Sequence, residues 1–519
     1  MTLYKKTTYL FAITSFFLWS CQKNEISDES SEAVPEEISL EQVEHTPKEE
    51  LKQAFAQGLA KSVRESESLR ALLKNEALKM FDNDYDVLYQ LIKDNELSDA
   101  KTVKTLLEDY LDKELLLQIE EQLPTLTIFV PNLPEGSFSA ENWDVTSQIP
   151  DVAYNVKSTN DVPIIKSNKE NFVLPAYKIP LFPVIVIKES ERVILDNEPG
   201  KKGISSKNNR NNSFKSKDGV GFRFLDDSFN RNLNIQYPLN KDEAFAKSNV
   251  DPKHIAAYDF FETQVGWQRD HLYYDLTPMS DRGPFVFDFR EHITSFRLKG
   301  GGGWSNGVIA YNKIADQTGD PRIGIQYVQG YPQTTGSWTD GVFEFKVTAL
   351  INAKNGIGSE FVTYFPAPAR DLFRIRSSTP SGTTLRLRNL RTKRFYPNLA
   401  LMNWDLDQYA STIKIEIEEV DRTETITTTD TRTVKYATNF GIDVGFGKKV
   451  KIGLEFGASL EETRTETISK TYTLENDRLG AIIANFADDC IRKSGSNYSV
   501  GTRYTTGWFE IDLAPLRVQ

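Results

Sequence analysis

Gly303-Trp304-Ser305-Asn306-Gly307 has the G-x-S-x-G spacing that, on a sharp strand-to-helix turn, would expose Ser305 as an acyl-transfer nucleophile. Such a serine needs a histidine base, and folds built around this turn supply it later in the chain. The histidines are His45, His254, His271 and His292, so none follows Ser305 and its hydroxyl would remain a weak nucleophile. His271, flanked by Asp270 and Asp275, comes nearest to a metal cluster, but a lone histidine among aromatic residues reads as a structural one. The chain carries neither an H-E-x-x-H zinc helix nor a G-x-x-x-x-G-K-[ST] phosphate loop. Asp82-Asn83-Asp84-Tyr85-Asp86 begins like a calcium loop, yet Val87 and Lys93 stand where that loop needs glycine and a bidentate acid. It therefore reads as a solvated helix junction. Asp405 and Asp407 read as an acidic turn beside a core Trp404, and Cys490 as a buried or free thiol. With 73 acids, paired-carboxylate hydrolysis of a glycan stays open, Trp267 or Trp304 serving as sugar platforms. The expectation is no catalytic residue, no metal and no cofactor.

Cys21 is the residue with the clearest chemistry. Lys5 and Lys6 precede an apolar run from Tyr9 to Trp19, too short to span a bilayer but suited to a signal segment. Leu18-Trp19-Ser20-Cys21 resembles a bacterial lipobox, with Trp19 where a small residue is usual. The resemblance implies cleavage before Cys21 and its acylation, as by palmitate. The alternative is an ordinary secretory signal with a chance cysteine. Gln22-Lys23-Asn24-Glu25-Ile26-Ser27-Asp28-Glu29 looks like the acidic export signal of Bacteroidota surface lipoproteins, or else is simply a polar tether. Gly266-Trp267-Gln268-Arg269-Asp270-His271 and Trp404-Asp405-Leu406-Asp407 are similar to recurring pieces of such lipoproteins. The implied address is the outer membrane, lipid-anchored and surface-exposed. A net charge of −11 argues against nucleic acid as a partner.

The elements that follow are expected to be α+β and mostly β. Residues 1–21 form the signal and lipidated cysteine, and 22–45 an acidic disordered tether. A helical block over 46–123 starts at a capping Thr46, Pro47 and Glu49, with Leu51, Phe55, Leu59 and Val63 on one stripe. It reads as a small bundle. Residues 124–197 form a β-rich segment with strands at Thr127–Val130 and a hairpin over Val184–Leu195. A Gly/Ser/Asn/Lys-rich flexible linker spans 198–219. A β-sandwich-like domain covers 220–410, with one helix near 241–264. Residues 411–519 form a second β-rich domain, closed by a helix-like Leu479–Phe486 and further strands.

Arg422–Leu474 alternates over an unusual length. Phe440, Ile442, Val444 and Phe446 share one face, and Val450, Ile452, Leu454 and Phe456 continue it after a short glycine-containing connection. Pairing Phe446 with Val450 places Thr433 opposite Thr463, Thr431 opposite Thr465 and Thr425 opposite Thr471, with Arg432 diagonal to Glu466. Each arm is roughly 24 residues, about 80 Å of strand. The hairpin 422–474 resembles that of aerolysin-type β-pore-forming proteins, which refolds into a transmembrane barrel. That resemblance implies that the eight apolar tip residues just named would face lipid and that the protein would oligomerise. The alternative is a hairpin laying its apolar face on its own core. The expected function is therefore a non-catalytic binding or structural lipoprotein with an unidentified glycan or protein ligand. Membrane perforation and carboxylate-based glycan hydrolysis are the rivals.

Overall fold

Thr46 and Glu49 close a reciprocal capping box at the start of helix Pro47–Glu65. The Glu49 carboxylate accepts from Thr46 N at 2.7 Å, and the Thr46 hydroxyl accepts from Glu49 N at 3.4 Å. Leu51, Phe55, Leu59 and Val63 are buried, as their spacing requires. The computed structural model describes residues 40–518 apart from 197–211, 234–249, 301–306, 322–337, 354–358, 438–460 and gaps of four residues or fewer. The described chain is α+β and mostly β.

The early helices do not form a bundle of their own. Pro47–Glu65, Glu67–Ala77 and Lys113–Gln122 share one core with a six-stranded sheet, because an apolar helix stripe is buried most fully against an apolar sheet face. Its strands are β1 (Asp86–Leu88), β2 (Leu126–Phe129), β3 (Asp151–Tyr154), β4 (Val162–Ile165), β5 (Phe172–Leu174) and β6 (Val184–Glu189), in the order β1-β2-β6-β3-β4-β5. β6 runs parallel to β3 and antiparallel to β2, and its Val184, Ile185, Val186 and Ile187 are all fully buried. Residues 184–195 are consequently not a hairpin. β7 (Val193–Leu195) joins β8 (Ser213–Lys215) and β9 (Gly221–Phe224) in a separate sheet. Ser190 makes the break: its N–H bonds Thr125 O, and its hydroxyl accepts from Arg192 N and Val193 N. β8 falls inside the stretch read as a linker. Likewise, Leu40–Gln42 form a 3-10 turn and Val43 is buried, so the stretch read as a disordered tether is folded from Leu40.

The remaining strands are β10 (Phe289–Leu298), β11 (Phe343–Ala353), β12 (Ser359–Ala367), β13 (Phe373–Ser381), β14 (Thr384–Thr392), β15 (Leu399–Ala400), β16 (Tyr409–Glu419), β17 (Thr425–Ala437), β18 (Glu461–Thr473), β19 (Asp477–Asn485), β20 (Ile491–Ser494), β21 (Asn497–Val500), β22 (Thr502–Thr505) and β23 (Phe509–Arg517). Two four-stranded sheets, β15-β10-β23-β22 and β12-β11-β16-β19, face one another across a single core. Phe296 of β10 meets Phe345 of β11 at 4.9 Å and Phe365 of β12 at 5.3 Å between ring centroids. A bulge between Ile293 and Ser295 shifts the phase of β10, so that Phe289 and Ile293 point inward before it and Phe296 and Leu298 after it. Strands on both sides of residue 410 contribute to this one sandwich. The segment Leu479–Phe486, read as helix-like, lies mainly in strand β19. An unbroken apolar run is ambiguous between the two states, and pairing with β16 decides it.

The helix expected near 241–264 is Pro252–Phe261, opened by an Asp251/His254 capping box.

Candidate functional site

β16 and β19 pair down to Glu419 opposite Asp477, and beyond that point the chain continues into β17 and returns through β18. The long hairpin therefore lies in the chain between two core strands and forms a two-stranded sheet of its own. Its described part is a two-stranded ribbon with thirteen Cα pairs, from Thr425↔Thr473 to Ala437↔Glu461, about 43 Å long. The register differs by two residues from the one expected. Thr433 lies opposite Thr465 and Thr431 opposite Thr467, and Arg432 lies directly opposite Glu466. A two-residue slip keeps every residue on its face, and a threonine stripe on both arms makes neighbouring registers look alike. Phe440, Ile442, Val444, Phe446, Val450, Ile452, Leu454 and Phe456 lie outside the described residues, as does Cys21.

The hairpin's root is strongly acidic. Carboxylate oxygens of Asp320, Glu419 and Asp421 lie within 4.8 Å of one another. Glu419 is only 2% exposed, and its Oε2 has no hydrogen-bond partner among the described residues. The charged groups that bear most on it are Asp421, Asp320, Glu191 and Asp477, all acids. Asp477 is bonded by Lys313, and the Thr339 hydroxyl donates to Asp320 O. Neighbouring Val420 is buried, and its N–H bonds Glu344 O, tying the exit of β16 to β11. Sequence reading missed this cluster because Asp320 and Glu419 lie far apart in the chain and only the fold brings them together.

Asp82, Asp84 and Asp86 are buried, which corrects the expectation of a solvated junction. Arg192 sits among them. It donates to Glu344 Oε1 from Nε at 2.8 Å and from Nη2 at 2.6 Å, to Asp82 O at 3.0 Å and to Asp84 Oδ2 at 3.3 Å. Lys188 Nζ lies 3.3 Å from Asp86 Oδ2. Burial first, then the charge of Asp86, pushes Asp82 well above the usual carboxylate range. Gly341 leaves room for this network, since a Cβ there would overlap the Asp84 carboxylate.

A second buried ion pair sits in the sandwich. Arg269 Nε donates to Glu291 Oε1 at 2.8 Å, its Nη1 to Asp488 O at 2.6 Å, and the Tyr273 hydroxyl reaches Glu291 Oε1 at 3.1 Å. Next in the chain, Asp270 is buried and burial pushes it up to about 8. His271 Nδ1 meets Leu276 O at 3.0 Å, the local bond of a structural histidine. His254 and His292 likewise meet the carbonyls of Pro515 and Arg290, and His45 meets the Tyr154 hydroxyl. Trp267 packs edge-on against Phe486 and is 6% exposed, so it is not a sugar platform. Asp405 accepts from the Tyr274 hydroxyl, Asp407 N and Gln408 Nε2 in a turn beside buried Trp404. Cys490 is buried and its thiol is pushed up to about 12 by burial. Ser305 and Trp304 lie outside the described residues.

Among the described residues, no helix is long and apolar enough to cross a membrane. No protein family, curated protein or solved structure matches the chain.

Proposed function

We propose that the chain is a surface-exposed outer-membrane lipoprotein, anchored through acylated Cys21, that presents its 422–474 hairpin in a binding or structural role. The observation that supports this reading is the rooting of the ribbon. β17 follows β16 and β18 precedes β19, so the ribbon, a two-stranded antiparallel sheet of its own, is flanked at both ends by paired strands of the packed sandwich. A free two-stranded ribbon is marginal on its own, so an anchored root is what lets it serve as a presenting arm. Radiolabelled palmitate fed to the native host should label the wild-type chain and leave it in the outer-membrane fraction. Cys21→Ser should carry no label and leave that fraction. A labelled Cys21→Ser variant would sink the anchor. Protease added to intact cells should digest the wild-type chain.

Membrane perforation is the second reading, favoured by one feature of the ribbon. Among the described residues neither edge of β17-β18 carries a third strand, and a barrel of several copies needs such edges to close. In that case Val444→Asp or Leu454→Asp places a charge on the lipid face, where charged substitutions are destabilising and most so near the midplane. Dye release from liposomes should then be abolished with folding and export unchanged. Unaltered release would remove the tip from the membrane.

A further inference from the structure

The acidic root of the hairpin is a site in want of a cation, and this goes beyond the reading above without depending on it. We propose that Asp320, Glu419 and Asp421 bind a calcium-class divalent cation, which ties the exit of β16 and the start of the hairpin to the segment carrying Asp320. This departs from the expectation of no metal drawn from the sequence.

Three observations carry the proposal. The first is geometric: oxygens within 4.8 Å of one another are close enough to converge, with at most a small side-chain movement, on one ion at the Ca–O distance of about 2.4 Å. Magnesium dehydrates reluctantly and is usually held by one or two carboxylates, so a set of three suits calcium better. The second is that Glu419 is almost fully buried and aimed into the cluster with Oε2 unpartnered. A buried carboxylate oxygen left in this way is costly unless something binds it. The third is register. The sheet places Glu419 directly opposite Asp477, whose charge Lys313 answers, so the facing strand brings Glu419 another acid rather than a cation. A site made only of carboxylates, with no histidine or thiolate, suits a hard cation over zinc or copper.

Burial, then Asp421, Asp320, Glu191 and Asp477, push Glu419 well above the usual carboxylate range.

The test is calorimetric titration of the purified full chain, stripped with EDTA, with CaCl2, together with thermal unfolding in EDTA and in about 2 mM CaCl2. The expected result is saturable binding and a thermal midpoint several degrees higher in calcium. Glu419→Gln and Asp421→Asn should each bind calcium at least about tenfold more weakly, because each removes a charged ligand. Their midpoints in EDTA should equal or exceed wild type, since each relieves like-charge repulsion. That outcome separates lost ligation from lost folding. The proposal is overturned if the wild-type midpoint is the same in calcium and EDTA, or if both variants keep the wild-type response. A midpoint in EDTA lowered by both substitutions would also overturn it, because the carboxylates would then be structural partners rather than ligands.

Discussion

Arg192→Met should be the most damaging single substitution in this protein, lowering unfolding free energy by about 3–5 kcal/mol. The side chain is 3% exposed and its guanidinium serves three groups from two parts of the chain. These are the Asp82 carbonyl and Asp84 carboxylate between the early helices and β1, and Glu344 on β11 of the sandwich. Burial disfavours its charge, yet Glu344, Asp84, Asp82 and Asp86 together hold it above its ordinary value. Removing it takes from Glu344, itself 2% exposed, both of the charge-assisted hydrogen bonds that Arg192 donates. Methionine fills similar volume, so the loss reports charge rather than a cavity. The double variant Arg192→Met/Glu344→Leu should recover part of the loss, because taking out both partners is far cheaper than taking out one. Denaturant midpoints of the two singles and the double measure this. A loss under about 1 kcal/mol for Arg192→Met would show that the network contributes little.

Asp270 should make the fold weaken as pH rises. Its folded value, near 8, exceeds the unfolded value of about 3.9, so between those limits the folded chain keeps a proton that the unfolded chain has shed. The contribution is therefore fully present below about pH 4 and is lost as pH climbs toward 8, at up to about 1.4 kcal/mol per unit. Burial is the cause, with the Trp267 backbone and the Arg282 charge pulling weakly the other way. Asp270→Asn mimics the protonated acid and cannot ionise. The stability difference between wild type and Asp270→Asn should slope against wild type from about pH 4 to 8 and then flatten. Parallel curves for the two proteins would mean that Asp270 ionises normally in the fold.

The first helix was legible down to its cap, because Thr46, Pro47, Glu49 and the Leu51–Val63 stripe are local signals that tertiary context had no reason to override. The hairpin's strands were legible for the same reason, period two being kept over a long run. Its register was not, since a repeated threonine pattern is nearly unchanged by a slip of two. Local pattern failed where a distant partner decided the outcome. Val184–Leu195 reads as a hairpin until β3 and β9 claim its two halves separately. Asp82, Asp84 and Asp86 read as surface acids because their partners, Lys188 and Arg192, lie more than a hundred residues downstream. The acidic root of the hairpin was invisible for that reason too: Glu419 looks like an ordinary strand-end acid until Asp320 is beside it.

The pairing of β10 with β23 bears on how the chain reaches this state. Phe289 is registered with Arg517, so a central strand of one sandwich sheet waits for the last described strand of the chain. Contacts of such separation give a high contact order, and the loop-closure entropy must be spent before the core rewards it. During synthesis β10 therefore emerges long before its partner, with Phe296 and Leu298 unburied. The sandwich can close only after the whole hairpin excursion has been made, which makes this half of the molecule the slow, late-folding part. The N-terminal helices and their sheet, whose strands all lie before residue 190, can assemble first.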